Sequence, residues 1–229
     1  MTLSDDDACR PLPANDASSA WEPLDDLEVA SLEALLSQRE ITSRLDGVRL
    51  LAQAGLGAPA LRSRLREERN PVVLSEICDA LADLEDRESL PELQQLAEQH
   101  PAQAVRRNAL LAIADLRGWE SVPYLRRRLY GERSPGVRAV LSCLLFVKGS
   151  DEGLPLIRRA LASRDERVKR LVANTLTSYS PRRRRSQVIQ ALEESLQGET
   201  RVGVVADIER AIRELSRNRT ESQRAMAAS

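Results

Sequence analysis

The chain has 229 residues, 42% of them in the hydrophobic class and a formal net charge of −1, enough for one substantial domain with a buried interior. Its apolar set is 35 Leu and 28 Ala against one Phe, two Trp and three Tyr, an inventory that excludes strand-rich folds and favours helices packed through aliphatic side chains. The longest nearly apolar run, residues 139–147, spans nine residues, so no segment is long enough to cross a bilayer as a helix.

In chain order, residues 1–23 are polar, acidic and Pro-rich, and a flexible leader is expected there. Asp5, Asp6 and Asp7 stand where a secretory signal needs positive charge, which predicts a cytoplasmic protein. Three cysteines, Cys9, Cys78 and Cys143, form neither an even set nor a cluster, in keeping with a reducing compartment. The use of 32 Arg against two Lys points to a GC-rich bacterial genome. Leu24, Leu27, Leu32, Leu35 and Leu36 predict an N-terminal capping helix within 24–40.

Internal repeats follow. Pro59, Pro91, Pro123 and Pro155 stand 32 residues apart, each followed two places later by Leu61, Leu93, Leu125 and Ile157, a column that continues at Ile189. Ile41, Val73, Val105 and Val137 keep the same 32-residue interval. Leu45, Ile77, Ala109 and Leu141 follow them by four residues, and Val48, Ala80, Ala112 and Leu144 by seven. The spacing 0, 4, 7 is one stripe of an α-helix. Each unit therefore holds two helices. One starts near the proline, where a missing backbone donor is harmless; the other starts after Asn70-Pro71, His100-Pro101 or Ser134-Pro135.

Two short amphipathic helices cannot bury their stripes alone, so successive pairs must stack on a shared core. The fold class is all-α, an α-solenoid of about five to six two-helix units spanning 24–215. After residue 167 the register slips to Val168, Val172 and Leu176, and Val204, Ile208, Ile212 and Leu215 come 36 residues later. The extra residues are assigned to the Tyr179 to Arg185 loop, and 216–229 to a flexible tail.

Val105-Arg106 with Ala109, Ala112 and Leu116, then Val122-Pro123-Tyr124-Leu125, resembles the HEAT-like repeat of the PBS-lyase type over roughly 41–215. That resemblance implies the same stacked fold, and in many members an adaptor, scaffold or chaperone-like role. Bilin-lyase subunits, an iron-dependent hydroxylase and the related alkylpurine DNA glycosylases mark its catalytic branches. The chain departs from the pattern in its aberrant fifth unit and in lacking Arg directly after Ile41 and Val73.

No catalytic apparatus is legible. A single histidine, His100 in a predicted turn, cannot supply the His-Glu pairs of the hydroxylase branch. The cysteines lack zinc spacing and read as buried thiols, and no Ser-His-acid set, phosphate loop or HExxH helix is present. Carboxylate pairs such as Glu67-Glu68 and Asp151-Glu152 fall at helix ends. No cofactor, metal or catalytic residue is predicted.

Charge is distributed unevenly. Residues 1–40 carry −8, 41–100 carry −4, 101–185 carry +12 and 186–229 carry −1. Arg126 and Arg158, and likewise Arg127 and Arg159, are 32 apart and should align on neighbouring parallel helices. Arg107 and Arg170 extend the field from the second helices, and Arg182, Arg183, Arg184 and Arg185 form a basic loop. These ten arginines are the predicted partner-binding residues. Arg106 and Arg138 are open to a second reading, neutralisation by acidic groups of an adjacent turn.

An arginine-rich surface fits an acidic protein segment, because guanidinium favours bidentate carboxylate contact. Nucleic acid is the alternative, disfavoured by a pI near 6.1 and few aromatics for stacking; Trp21 lies in the leader and Trp119 at a helix start. A bilin-lyase-like subunit is a further alternative. The acidic N-terminus is also expected to be able to contact the basic middle of its own or a second copy. The functional expectation is a non-catalytic protein-protein interaction module.

Overall fold

The computed structural model describes residues 26–179 and 182–227, with side chains described for 27–179 and 183–217. The helices are α1 (Asp26–Leu35), α2 (Ile41–Gln53), α3 (Ala58–Glu67), α4 (Pro71–Asp83), α5 (Leu90–Gln99) and α6 (Gln103–Arg117). They continue as α7 (Val122–Gly131), α8 (Pro135–Val147), α9 (Gly153–Leu161), α10 (Glu166–Tyr179), α11 (Arg185–Leu196) and α12 (Val202–Ala227). No strand occurs among the described residues. The chain is an all-α solenoid.

Local chemistry explains where the helices begin. Pro59, Pro91 and Pro123 occupy the first turns of α3, α5 and α7, and Pro71 and Pro135 open α4 and α8. Asn70 Oδ1 accepts the Val72 and Val73 N–H groups at 2.9 and 3.3 Å, and Ser134 Oγ accepts the Val137 N–H.

The even-numbered helices pack directly on one another from α2 to α12, and each odd-numbered helix leans on its even-numbered partner. Among the odd-numbered helices of the repeats, only α9 and α11 share appreciable contact. The closely spaced even-numbered row is termed the inner row. Leu61, Leu93, Leu125 and Ile157 are fully buried, as the proline ladder predicts. Each such side chain contributes roughly 1.5–3 kcal/mol.

Helix α8 explains the nine-residue apolar run. Val137, Val140, Leu141, Leu144 and Leu145 pack toward the N-terminal core, while Ala139, Cys143 and Phe146 pack toward the C-terminal one. A helix between two layers has almost no face left for water.

A column of small residues was not legible as such. Gly57, Ser89, Ser121 and Gly153 recur every 32 residues at the approach of each odd-numbered helix to its neighbour. Ser89 and Ser121 are fully buried, with each hydroxyl donating to a carbonyl three residues back. At Gly153 a Cβ would stand 2.5 Å from the Phe146 nitrogen and 2.7 Å from the Ser142 carbonyl oxygen.

Three register expectations are corrected. Ile41 is 43% exposed and is not the first anchor. The first even-numbered helix is displaced by two residues, so half-buried Ser43 takes the place of Val73 and buried Gly47 that of Ile77. Gly47 stands there because α1 crosses so close that a Cβ would lie 2.8 Å from that of Leu35. Ile189 is half-buried, and Val188, fully buried, continues the Leu61 column. The slack does not lie between Tyr179 and Arg185: twelve residues separate buried Leu192 from Val204, where eight separate Leu129 from Val137. The insertion is the α11–α12 turn, which opens at Gly198 with φ +83°. Helix α12 carries helical backbone to Ala227, past the boundary expected at 215; the predicted leader lies outside the described residues.

Candidate functional site: charged junctions and an arginine-rich rim

The turns from odd-numbered to even-numbered helices line one rim of the solenoid, and three of them are tied to the preceding unit by a buried carboxylate. Glu68, after α3, accepts Arg44 Nε of α2 at 2.8 Å and Arg64 Nη2 at 2.7 Å through Oε2, while Oε1 accepts the Arg69 and Asn70 N–H groups, each at 2.8 Å. Arg44 is further fixed by donating Nη1 to the Gln38 and Arg39 carbonyls. Glu132 repeats this two units later, bound by Arg106 through Nη2 at 2.9 Å and Nε at 3.1 Å, with the Ser134 N–H at 2.8 Å and Arg128 at 3.6 Å. Glu199 closes the series with Lys169 Nζ at 2.6 Å and the Arg201 guanidinium at 2.7 Å.

Burial alone pushes the Glu68 carboxyl up, but the Asn70 N–H, the Arg64 guanidinium and the Arg69 N–H outweigh it and hold the group at about 2. For Glu132 the same desolvation is outweighed by Arg106 and the Ser134 N–H, so its carboxyl also lies below the usual range. Glu199 is held low chiefly by Arg201 and Lys169. Such carboxylates are fully engaged within the fold, and removing one partner would strand a buried charge. The neutralisation weighed for Arg106 is therefore what the structure shows, and Arg44 supplies the arginine that the sequence pattern lacked near Ile41.

At the α4–α6 junction every charge of this motif is gone. Leu74 stands in the Arg106 position, Leu96 in that of Arg128, and His100 in that of Glu132. His100 Nδ1 accepts the Ala102 N–H at 3.1 Å, the same bond that the glutamates make with their oxygens.

The predicted arginines divide. Arg126 pairs with Glu152 at 2.7 Å and Arg158 with Glu194 at 3.1 Å; both guanidinium side chains remain over 40% exposed. Arg170 pairs with Asp207, and Arg184 pairs with Asp151 at 2.9 Å while lying 5.0 Å from the centre of the Phe146 ring. Exposed pairs of this kind contribute about 0–1 kcal/mol, so a ligand carboxylate can replace the internal one at little cost. Helices α7 and α9 share little contact, so Arg126 and Arg158 each meet the next unit's carboxylate rather than one another.

Arg127 lies over the Tyr124 ring at 5.4 Å. Arg159 and Arg183 are exposed, and Arg185 is half-buried with Nε lacking a partner. Arg107 is half-buried beside Asp79 on the inner row. The Arg182 side chain lies outside the described residues. Sequence reasoning missed Arg133, Arg164 and Arg167, because exposure in a turn leaves no periodic signal. Together with Arg127, Arg138 and Arg159 they form no ion pair to another described residue, and all six lie between α7 and the start of α10.

The inner row has the opposite character toward the N-terminus. Asp79 takes a hydrogen bond from Asn108 Nδ2 at 3.2 Å, Arg49 pairs with Glu76 at 2.6 Å, and Lys148 pairs with Asp115 at 3.0 Å. Desolvation first, then the Glu76 and Asp83 charges, pushes the Asp79 carboxyl up to about 7 against the pull of Arg107. Among the described residues no group of three His, Cys, Asp or Glu is placed to hold a metal ion. Cys78 and Cys143 are buried, and desolvation pushes both thiols up. Cys9 and Trp21 lie outside the described residues, and Trp119 is 74% exposed. No described helix is long and apolar enough to cross a membrane.

The profile of the HEAT repeats family matches residues 58–145, which covers α3 to most of α8. No curated protein matches the chain. Solved structures that resemble it include an engineered protein, at 19% identity over 82% of this chain and 96% of that one with a TM-score of 0.36, and a designed armadillo repeat protein, at 16% identity over 82% of this chain and all of that one with a TM-score of 0.38. The chain is thus HEAT-like in its matched repeats and a helical repeat protein in architecture, a fold that commonly mediates protein interactions.

Proposed function

We propose that the chain is a non-catalytic docking protein whose α7–α10 rim receives an acidic segment of another protein. The observation that carries this reading is the set of six arginines, Arg127, Arg133, Arg138, Arg159, Arg164 and Arg167, for which the fold provides no carboxylate, whereas Arg44, Arg106 and Lys169 at other junctions are matched by buried carboxylates. Unmatched guanidinium groups along successive turns give an extended partner several bidentate contacts, and Arg126 and Arg158 can exchange their exposed internal partners for its carboxylates. Binding of this kind involves no covalent step and no cofactor.

The test is fluorescence anisotropy with a labelled peptide of alternating Glu and Gly, at about 50 and 300 mM NaCl, where screening changes several-fold. The wild-type chain binds, more weakly at the higher salt, and joint reversal of Arg127, Arg133 and Arg167 to Glu weakens binding about tenfold or more with unchanged helical content. Absence of binding at the lower salt, or equal binding by the variant, would refute the reading. Stronger retention of random duplex DNA than of the peptide would favour nucleic acid instead.

A further inference from the structure

The junction motif recurs with the same geometry at five places, and one of them is incomplete. Glu68, His100, Glu132, Ser163 and Glu199 each stand five residues before the buried valine of the following even-numbered helix, and each accepts through its side chain the N–H of the residue two places on, at 2.8 to 3.1 Å. In this series Ser163, not a carboxylate, occupies the turn between α9 and α10.

The cation that the preceding unit contributes to that position is nevertheless retained. Arg138 is the fourth residue of α8, as Arg106 is of α6. It donates Nη1 to the Glu132 carbonyl six residues back, at 3.4 Å, as Arg106 does to the His100 carbonyl at 2.9 Å. In Arg106 the remaining fork, Nε and Nη2, grips Glu132; in Arg138 no described carboxylate takes it. Arg159 stands four residues before Ser163 but in the helix register of Arg127, Ala160 taking the place of Arg128, and it has no anionic partner. Where the chain abandons the motif at Leu74, Leu96 and His100 it removes both cations together with the anion. Here Arg138 stays although the anion is gone. Arg138, Arg159 and Ser163 line one open cleft of about 310 Å³, walled otherwise by Leu129, Ala139 and Ala160 among its apolar residues.

We infer that this cleft is a carboxylate subsite, in which a Glu side chain of the acidic partner segment takes the place that Glu132 holds in the preceding junction. The assignment rests on the acidic-segment reading and names its central contact. Arg138 donates to the incoming carboxylate through its free fork, and Arg159 approaches from the last turn of α9. The Ser163 hydroxyl, whose oxygen already accepts the Asp165 N–H, has its own proton left to donate. The nearby acids do not fill the site: Asp165 Oδ1 accepts the Arg167 N–H, and Glu166 lies against Arg201 at 3.7 Å. A carboxylate is favoured over phosphate because Arg106, set on α6 as Arg138 is on α8, already binds one at Glu132.

The deciding variant is Ser163→Glu, which supplies the missing carboxylate from the chain itself, with Ser163→Gln as an uncharged match and Arg138→Gln as the converse. Thermal melts and anisotropy with the labelled Glu/Gly peptide are read on all four proteins at about 50 mM NaCl. Ser163→Glu is expected to melt above both wild type and Ser163→Gln and to bind the peptide about tenfold more weakly or worse. Arg138→Gln loses binding similarly, and Ser163→Gln changes it by less than about threefold. Binding left unchanged by Ser163→Glu and Arg138→Gln overturns the subsite while the acidic-segment reading stands. Absence of wild-type peptide binding overturns that reading and the ligand named here. Protection by inorganic phosphate stronger than by the peptide overturns the choice of carboxylate.

Discussion

Replacing Glu68 by Gln probes whether the buried junctions hold the units together through charge. The carboxylate is only 2% exposed, and its environment moves it from 4.5 to about 2. At about 1.4 kcal/mol per unit, that displacement is on the order of 3 kcal/mol of folding stability at neutral pH. The group is depressed in the folded state, so its contribution is fully present above about 4.5 and disappears as pH falls through about 2. Wild type should therefore exceed Glu68→Gln by about 3 kcal/mol at pH 7, equivalent to roughly 6–12 °C in Tm for a chain of this size. The gap should narrow steadily in acid. Urea unfolding followed by circular dichroism at about pH 7, 4 and 2.5 measures it, since these values run through most of the titration. A gap that stays constant or widens on acidification would refute the reasoning, because the stabilisation would then come from packing or shape and not from the charge.

Two further substitutions test the packing and the inner face. Gly153→Ala should destabilise by about 1–3 kcal/mol in urea melts, because its Cβ meets backbone atoms of α8 that cannot step aside. Gly203→Ala in α12, whose Cβ meets nothing within 4 Å, should be neutral or stabilising by roughly 0.5–1 kcal/mol; equal losses at the two sites would show that close approach is not the cause. Asp79→Asn should stabilise the chain above about pH 7 and have no such effect below about pH 4. Its carboxyl is raised in the folded state, so the unfolded chain releases the proton first and native stability falls as pH rises between those values. A stability gain independent of pH would contradict this.

The Asp79 result would also bear on how the two faces divide their work. The inner row sets carboxylates of α4 and α6 against a few cations, whereas the α7–α10 rim leaves arginines without anions. A long acidic segment would be repelled from the first and held by the second, so the charge asymmetry also sets where along the stack a partner can lie.

The sequence alone was enough to determine that this chain stacks pairs of helices, because a 32-residue recurrence of proline and of buried aliphatic positions follows directly from one packing unit repeated. It also showed that cations concentrate between residues 101 and 185. Which arginines are available was settled only by tertiary structure, since a guanidinium's partner lies 24 to 37 residues away across a junction and periodicity is blind to which side chain faces it. Arg126, Arg158 and Arg106 meet carboxylates of the next unit. Arg138, of the same type and in the column of Arg106, has no carboxylate partner and shares an open cleft with Ser163. The same limit explains Ile41, where the phase depended on how closely α1 approaches α2 at Gly47, and Val188, where it was shifted by the step from Leu161 to Val168, one residue shorter than that from Leu129 to Val137. Local chemistry dictates the helices, and the distances between them decide which charges remain for a partner.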